Sequence, residues 1–535
     1  MPSWVVLILL VLPIAAALAI FALERLHPNF GLAWLIAMLA ALGGWGLLLA
    51  LGLRNPAPLQ LADWLPFQVN LDDRLLLQVD PISWPLAFSL AALLLAVILT
   101  APVRLGQKSI PAAWASNLFI TSMGLMGVLS GNLITLLLVW SLIDVVELII
   151  MLRTVQEPRL NRQAVLAFAA RVSGTIVALA ALVVDQDPVI SGIPNAFPQA
   201  NVLLLMAAGL RLGVLPLNLP YQQEIRMRRG VGTLLRMVSA ATSLVLLARL
   251  TPIEVTAGGG ALLLVASAIA ALYAAAMWAS AANELAGRPY WIISLAGMAL
   301  ISVINGNPLN SLAWSTLMIL CGGLLFLYSG RAKFSIVLPI LAAVALSGLP
   351  FTPAAFGWPG VVDESFTIFD LALVLIPALL MVGMIRHAMT PGDALRDMQG
   401  WIRVAYPMGL FLLVASAWLI VLLGTGQSLI VGPWAVSLAS SLVAVGMLFA
   451  IYRWRSTASE NRRFGWLQSI VRVVGKWLTS FFNLRWLYAL LNDFMRSIRR
   501  LVEGLSVILE GEGGVLWVLV LLALLLTLLL PEGLR

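Results

Sequence analysis

Two acidic residues, Asp144 and Glu147, lie three positions apart inside an apolar stretch that runs from Gly131 to Leu152, and Arg211 lies inside another that closes at Pro220. If the first stretch is a helix, the i, i+3 spacing puts both carboxylates on one face. A charge at bilayer depth is costly, so such residues usually face one another or an internal water-filled path. Carboxylates opposite a guanidinium could flank a route for a proton or cation; equally, they could form a fixed ion pair that sets helix packing. Arg211 stays protonated at any relevant pH, so it can tune a neighbour but cannot relay a proton itself.

Arg171 and Arg236 fall inside or near the ends of two further apolar stretches and complete the candidate set. Arg236 either joins the same path or snorkels to the interface. The lysines, Lys108, Lys333 and Lys476, and the histidines, His27 and His387, all lie outside the apolar stretches or at their ends. The carboxylates are therefore the only embedded groups in a position to exchange a proton.

The elements that position these residues follow from composition. Hydrophobic residues make up 61% of the 535-residue chain and charged residues 10%, against roughly 25% charged in a soluble domain. Apolar runs of about 20 residues recur along the chain, each long enough to cross the bilayer as a helix. No period-two alternation of barrel type is present. The reading is an all-α polytopic membrane protein with about sixteen spans: 4–23, 31–52, 83–103, 112–130, 132–152, 163–184, 198–218, 231–250, 259–281, 290–305, 311–329, 333–356, 366–386, 406–424, 432–452 and 514–530. The first segment lacks a basic leader and a small-residue cleavage site, and is read as a retained helix.

Arg and Lys alternate between loops. They follow the odd-numbered spans (Arg104 and Lys108; Arg153, Arg159 and Arg162; Arg226, Arg228 and Arg229; Arg288; Arg331 and Lys333; Arg386 and Arg403; Arg453, Arg455, Arg462 and Arg463) and are missing after the sixth, eighth, tenth, twelfth and fourteenth. The pattern expects a cytoplasmic location for the odd loops and an external N-terminus. It also accounts for the net charge of +8 as topology, with the lipid bilayer as partner and no nucleic acid. Cys321 is the only cysteine, which excludes an intrachain disulfide.

Residues 1–110 form an N-terminal helical region with an external loop, 53–82, in which a small hairpin is expected. Residues 111–424 form the core, and 425–463 the fifteenth span with its basic loop. Over 464–508, Leu467, Ile470, Val471, Val474 and Leu478 recur at helical spacing among Arg472, Lys476, Arg485 and Arg496, a basic amphipathic helix suited to the membrane surface. A transmembrane anchor over 509–535 follows. Gly348-Leu349-Pro350 and Gly357-Trp358-Pro359-Gly360 interrupt the twelfth span near Asp363 and Glu364. Such a break is either an ion-site motif of transporters or a plain helix end. No metal-ligand set, dinucleotide fingerprint or nucleophile elbow occurs, so no cofactor, metal or soluble catalytic chemistry is expected in this chain.

These residues resemble the antiporter-like membrane subunits shared by respiratory complex I (NADH-quinone oxidoreductase), membrane-bound hydrogenases and multi-subunit Na+/H+ antiporters. The similarity runs in order: Gln78-Val79-Asp80-Pro81-Ile82-Ser83 before the third span; Asn132 through Trp140; Gly209-Leu210-Arg211 with Pro216-Leu217-Asn218; Leu246-Leu247-Ala248-Arg249-Leu250; Asn283-Glu284-Leu285; Leu324-Leu325-Phe326-Leu327; and Ala345-Leu346-Ser347-Gly348-Leu349-Pro350. The resemblance implies about 14 core helices, a lateral amphipathic helix that clasps partner membrane subunits, and a final anchor in a prokaryotic cell membrane. It also implies a part in proton or cation translocation by a line of Lys, His and Glu. The chain departs from that line. The family's fifth-helix Glu falls on Ser141, with Asp144 one turn later, and its seventh-helix Lys falls on Arg211. The eighth-helix His or Lys falls near Leu235, beside Arg236. The remaining positions fall on Met318, Gly322 and near Trp358. Two functions are therefore expected as alternatives: a translocating subunit with Asp144 and Glu147 as the exchanging groups and Arg211 as fixed counter-charge, or a non-pumping scaffold of the same kind of complex.

Overall fold

Inside a bilayer every backbone N–H and C=O must be satisfied within the protein, so apolar runs of this length close into helices. The computed structural model describes residues 3–27, 32–52, 59–63, 74–104, 111–154, 158–184, 198–217, 229–251, 259–331, 335–362, 368–390, 392–394, 398–424, 434–457 and Arg496. Within them lie fifteen α-helices, one for each of the first fifteen expected spans. They are α1 (Trp4–Leu26), α2 (Ala33–Gly52), α3 (Ser83–Thr100), α4 (Pro111–Val128), α5 (Leu133–Thr154), α6 (Pro158–Val184), α7 (Pro198–Leu212) and α8 (Arg229–Arg249). The series continues with α9 (Gly259–Ser280), α10 (Glu284–Ile304), α11 (Ser311–Leu327), α12 (Val337–Leu346), α13 (Ile368–Ala388), α14 (Gly400–Gly424) and α15 (Trp434–Thr457). Among the described residues twelve helices are long and apolar enough to cross a membrane, and the protein is an all-α multi-pass membrane protein.

The chain divides into two units, Met1–Ser459 and Glu460–Arg535. Apart from Arg496 the second unit lies outside the described residues, and with it the expected lateral helix and anchor. Asp363 and Glu364 also lie outside them.

Several boundaries differ from the sequence expectation for local reasons. α6 begins at Pro158, a residue favoured at the first helical position, so Arg159 and Arg162 belong to the helix rather than to a loop. α10 begins six residues before the expected 290. The Asn283 side chain accepts the Ala286 N–H (2.8 Å) as an N-cap, and Arg288 with Pro289 is thereby carried into the helix. α14 likewise starts at Gly400, taking in Arg403.

Two helices stop short. α7 ends at Leu212, where Gly213 takes a left-handed φ of 76°, instead of continuing to 218. α12 holds ten residues of the expected 333–356 and stops before Gly348, at φ 72°, and Phe351, at φ 67°. Two 3-10 turns, Pro353–Phe356 and Trp358–Gly360, carry the chain onward.

The core lies where α3, α8 and α10 pack around α11 with nearly every side chain buried. α1, α2, α9 and α15 form the periphery and present apolar side chains outward, such as Leu18, Leu39, Leu262 and Phe449. The expected hairpin is present: β1 (Leu59–Asp63) pairs antiparallel with β2 (Arg74–Leu77), Leu59 opposite Leu77. It closes over the α4–α5 turn, with Gly131 N–H donating to Leu76 O (2.8 Å) and Gln78 N–H to Leu129 O (2.7 Å). Beyond β2 the Asp80 carboxylate accepts the Ser83 N–H (2.6 Å) at the start of α3 and pairs with Arg249 Nη1 (2.9 Å) at the end of α8.

Gly348 is required where it stands, because its φ is left-handed and the Trp358 indole occupies the space of any side chain. Gly348→Ala is expected to destabilise the purified chain by about 1–3 kcal/mol, the range for a strained backbone position. Gly46→Ala, in open space, is expected to leave it intact. Thermal melting of both variants in detergent checks the contrast.

Candidate functional site: a buried ion-pair network

Four helices bring all five candidate residues together. Asp144 and Glu147 come from the middle of α5, Arg171 from the middle of α6, Arg211 from the last turn of α7 and Arg236 from α8. Their relative exposures are 1% for Asp144, 0% for Glu147, 1% for Arg171, 5% for Arg211 and 3% for Arg236. Arg236 therefore does not snorkel to the surface.

Arg211 makes a two-pronged pair with Asp144, Nη1 to Oδ2 at 2.7 Å and Nη2 to Oδ1 at 2.9 Å. This fork geometry is specific to guanidinium. Its Nη1 also donates to Thr175 Oγ1 (2.9 Å) and to the Arg171 carbonyl (3.3 Å). Arg171 spans the two acids: its Nε lies 3.4 Å from Asp144 Oδ1, and its Nη1 pairs with Glu147 Oε2. Arg236 Nη1 pairs with the other oxygen, Glu147 Oε1. Each carboxylate oxygen of both acids thus faces a guanidinium.

Close helix approach makes this possible. A side chain at Gly174 on α6 would run into Arg211 Cγ and the Ala207 carbonyl, so only glycine lets α6 and α7 come this near. Trp140, one turn before Asp144, donates its Nε1–H to the Thr242 carbonyl of α8 (3.2 Å). Its ring lies 4.2 Å from the Arg211 guanidinium carbon, a cation–π contact that replaces water on that face. α7 ends beside the network, and the carbonyl end of a helix favours a cation. A cavity of about 20 Å³ lies between Arg211, Arg236 and Ser239 on one side and Pro289 and Ile292 of α10 on the other. That is room for one water.

Ser141, the position that the resemblance aligns with the family's acidic residue, points to the outer face of α5, its hydroxyl donating to Leu137 O (2.9 Å). The inward register belongs to Trp140, Asp144 and Glu147. Met318 and Trp358 are fully buried.

Sequence reading missed the supporting hydroxyls Thr175 and Ser239, which look like ordinary helix residues. It also missed that α8 is a charged spine: Arg249 pairs with Asp80 at one end and Arg229 with Glu284 (2.6 Å) at the other. The signal was available, since α8 carries three arginines and is buried along nearly its whole length. Among the described residues no three His, Cys, Asp or Glu side chains converge as metal ligands do.

Removing one partner of a buried ion pair leaves an uncompensated charge and typically costs about 3–5 kcal/mol, whereas replacing both partners by apolar residues is often neutral. Arg211→Leu is therefore expected to lower stability by about that amount, and Arg211→Leu with Asp144→Leu to lower it less. A double-mutant cycle on thermal or denaturant stability checks this.

No protein-family model matches the sequence, and no curated protein matches it. The fold has counterparts among solved structures. A chain of the Mrp complex from Dietzia sp. DQ12-45-1b superposes with a TM-score of 0.66 at 17% identity over 95% of this chain. The present chain spans 63% of the length of that one. A chain of the membrane-bound sulfane sulfur reductase (MBS), an archaeal respiratory membrane complex, superposes with a TM-score of 0.66 at 15% identity, covering 98% of this chain and 99% of the other. The protein thus has the fold of membrane-embedded chains found in these multi-subunit assemblies.

Proposed function

We propose that this chain is an antiporter-like membrane subunit of a multi-subunit, energy-converting complex, held among other membrane subunits, and that its buried network is a brace rather than a proton relay. Membership in such a complex is supported by the shared fold and by the motif order read from the sequence. The brace role rests on one observation: every carboxylate oxygen of Asp144 and Glu147 faces an arginine. Arginine holds its proton at any relevant pH, so the network contains charge that orients but no cationic group that hands a proton on. The four helices α5 to α8 are locked in depth and rotation by it.

A second reading is proton or cation translocation, with Asp144 and Glu147 exchanging the ion and Arg211 as fixed counter-charge. It is favoured by α7, which stops at the network, and by the cavity of about 20 Å³ beside Arg211 and Arg236. Interrupted helices with their ends at an ion site are a transporter device.

Asp144→Asn with Glu147→Gln separates the two. As a brace, the pair of substitutions leaves three guanidiniums without their anions, and the chain is expected to fail to co-purify with its partner subunits or to melt well below the wild type. A normally assembled complex that has lost ion flux in vesicles would instead establish translocation.

A further inference from the structure

Within the half of the bundle built from α9 to α13 the Asp, Glu, Lys, Arg and His side chains are confined to the helix ends: Glu284 and Arg288 at the start of α10, with Arg288 Cζ 5.2 Å over the Phe326 ring, and Asp370, Arg386 and His387 at the ends of α13. From Pro289 to Tyr328 the sequence contains no Asp, Glu, Lys, Arg or His. Its space is filled by aromatic rings in two groups. One group lies toward the N-terminal end of α10. There the Trp278 ring of α9 stands 5.1 Å from Trp291 of α10, 6.1 Å from Phe326 of α11 and 4.6 Å from His387 of α13, centroid to centroid. The other group lies at the opposite end of α11, where Trp314 meets Trp358 edge-on at 5.7 Å. All four tryptophans are fully buried.

Each ring is seated where a glycine leaves no side chain. Trp291 fills the space over Gly322 of α11 and Trp278 the space over Gly383 of α13, so the indoles touch the facing backbones directly. Three of the four N–H groups are answered by backbone: Trp278 donates to Leu380 O (3.1 Å), Trp291 to Met318 O (3.0 Å) and Trp314 to Gly357 O (3.3 Å), whereas the buried Trp358 Nε1 has no protein acceptor among the described residues. Trp314 and Phe326 are roughly 18 Å apart along α11 at about 1.5 Å per residue. All of α11 between them is buried, and the hydroxyls of Ser315 and Thr316 donate to its own backbone.

We propose that α9 to α13 form an ion-tight seal of two aromatic layers in series, through which this chain partitions the ion gradient of its complex and confines any charge movement to the α5–α8 side. A proton or hydrated cation crossing this half would have to displace an indole locked on facing backbone at each layer. Along α11 from Trp314 to Phe326 the one ionisable side chain to receive it is the buried Cys321 thiol. The seal rests on the multi-pass membrane reading and not on the brace role of the network, so the two fail separately.

Cys321, the only cysteine, lies on α11 level with Trp291, which contacts Met318 and Gly322 on either side of it, and is buried, which makes it a built-in probe. The full-length chain is reconstituted in phosphatidylcholine–phosphatidylglycerol vesicles and treated with 2-aminoethyl methanethiosulfonate, and proton leak is followed with an internal pH dye under a valinomycin–K+ potential. The wild type is expected to label only after denaturation and to leak no faster than protein-free vesicles. Trp291→Ala or Trp358→Ala opens one layer and is expected to speed Cys321 labelling at least tenfold with the leak unchanged. The double variant is expected to raise the leak at least tenfold. Trp291→Met with Trp358→Met, which keep more apolar volume, serve if the alanine variants do not fold. Rapid labelling or a leak in the wild type overturns the proposal without any variant, and so does a folded double variant that stays tight.

Discussion

The fold of the first half of this protein depends on placing opposite charges within reach of one another in the buried interior. Asp144 and Glu147 on α5 are held by arginines from three other helices, each buried. In low dielectric such a network stabilises little relative to well-packed apolar residues, but it tolerates very little displacement, because a lost partner exposes a bare charge. Its effect is specificity: α5, α6, α7 and α8 have one mutual depth and rotation at which every carboxylate oxygen meets a guanidinium. Gly174 and the Trp140 ring exist in that geometry as the means of close approach and of shielding.

The two short helices show how the same backbone device serves opposite environments. α7 and α12 both stop before a glycine with a left-handed φ, and each is followed by a proline four residues after its last residue. The end of α7 meets a guanidinium fork on Asp144; the end of α12 meets an indole seated over Gly348. In one case the freed polar surface is answered by charge, in the other by aromatic burial. The two helix ends thus sit in opposite surroundings, one beside paired buried charge and the other beside packed indole rings.

Much of this was legible in the residues. Fifteen apolar runs became fifteen helices, twelve of them long and apolar enough to cross a membrane, because a bilayer-length apolar run has few alternatives. The embedded acids and arginines identified themselves by being charged in apolar surroundings. The boundaries that moved did so for reasons of a few residues' reach: Pro158 at a first helical position, the Asn283 cap, and the positive φ of Gly213 and Gly348. Ser141 shows the limit of matching by order alone. It sits near the right place in the chain but on the outer face of α5, whereas Asp144, one turn on, faces in.

The sequence by itself determined the membrane class, the order of the helices, and which residue types had to find partners, since burial of charge and apolar length are local properties of a segment. Tertiary structure alone decided that Arg171 bridges both acids, that Arg236 reaches Glu147 instead of the interface, and that four tryptophans gather into two layers. Those outcomes depend on the rotation and depth of helices far apart in the chain. Those are set jointly by glycine contacts, helix ends and ring packing, and no single segment encodes them.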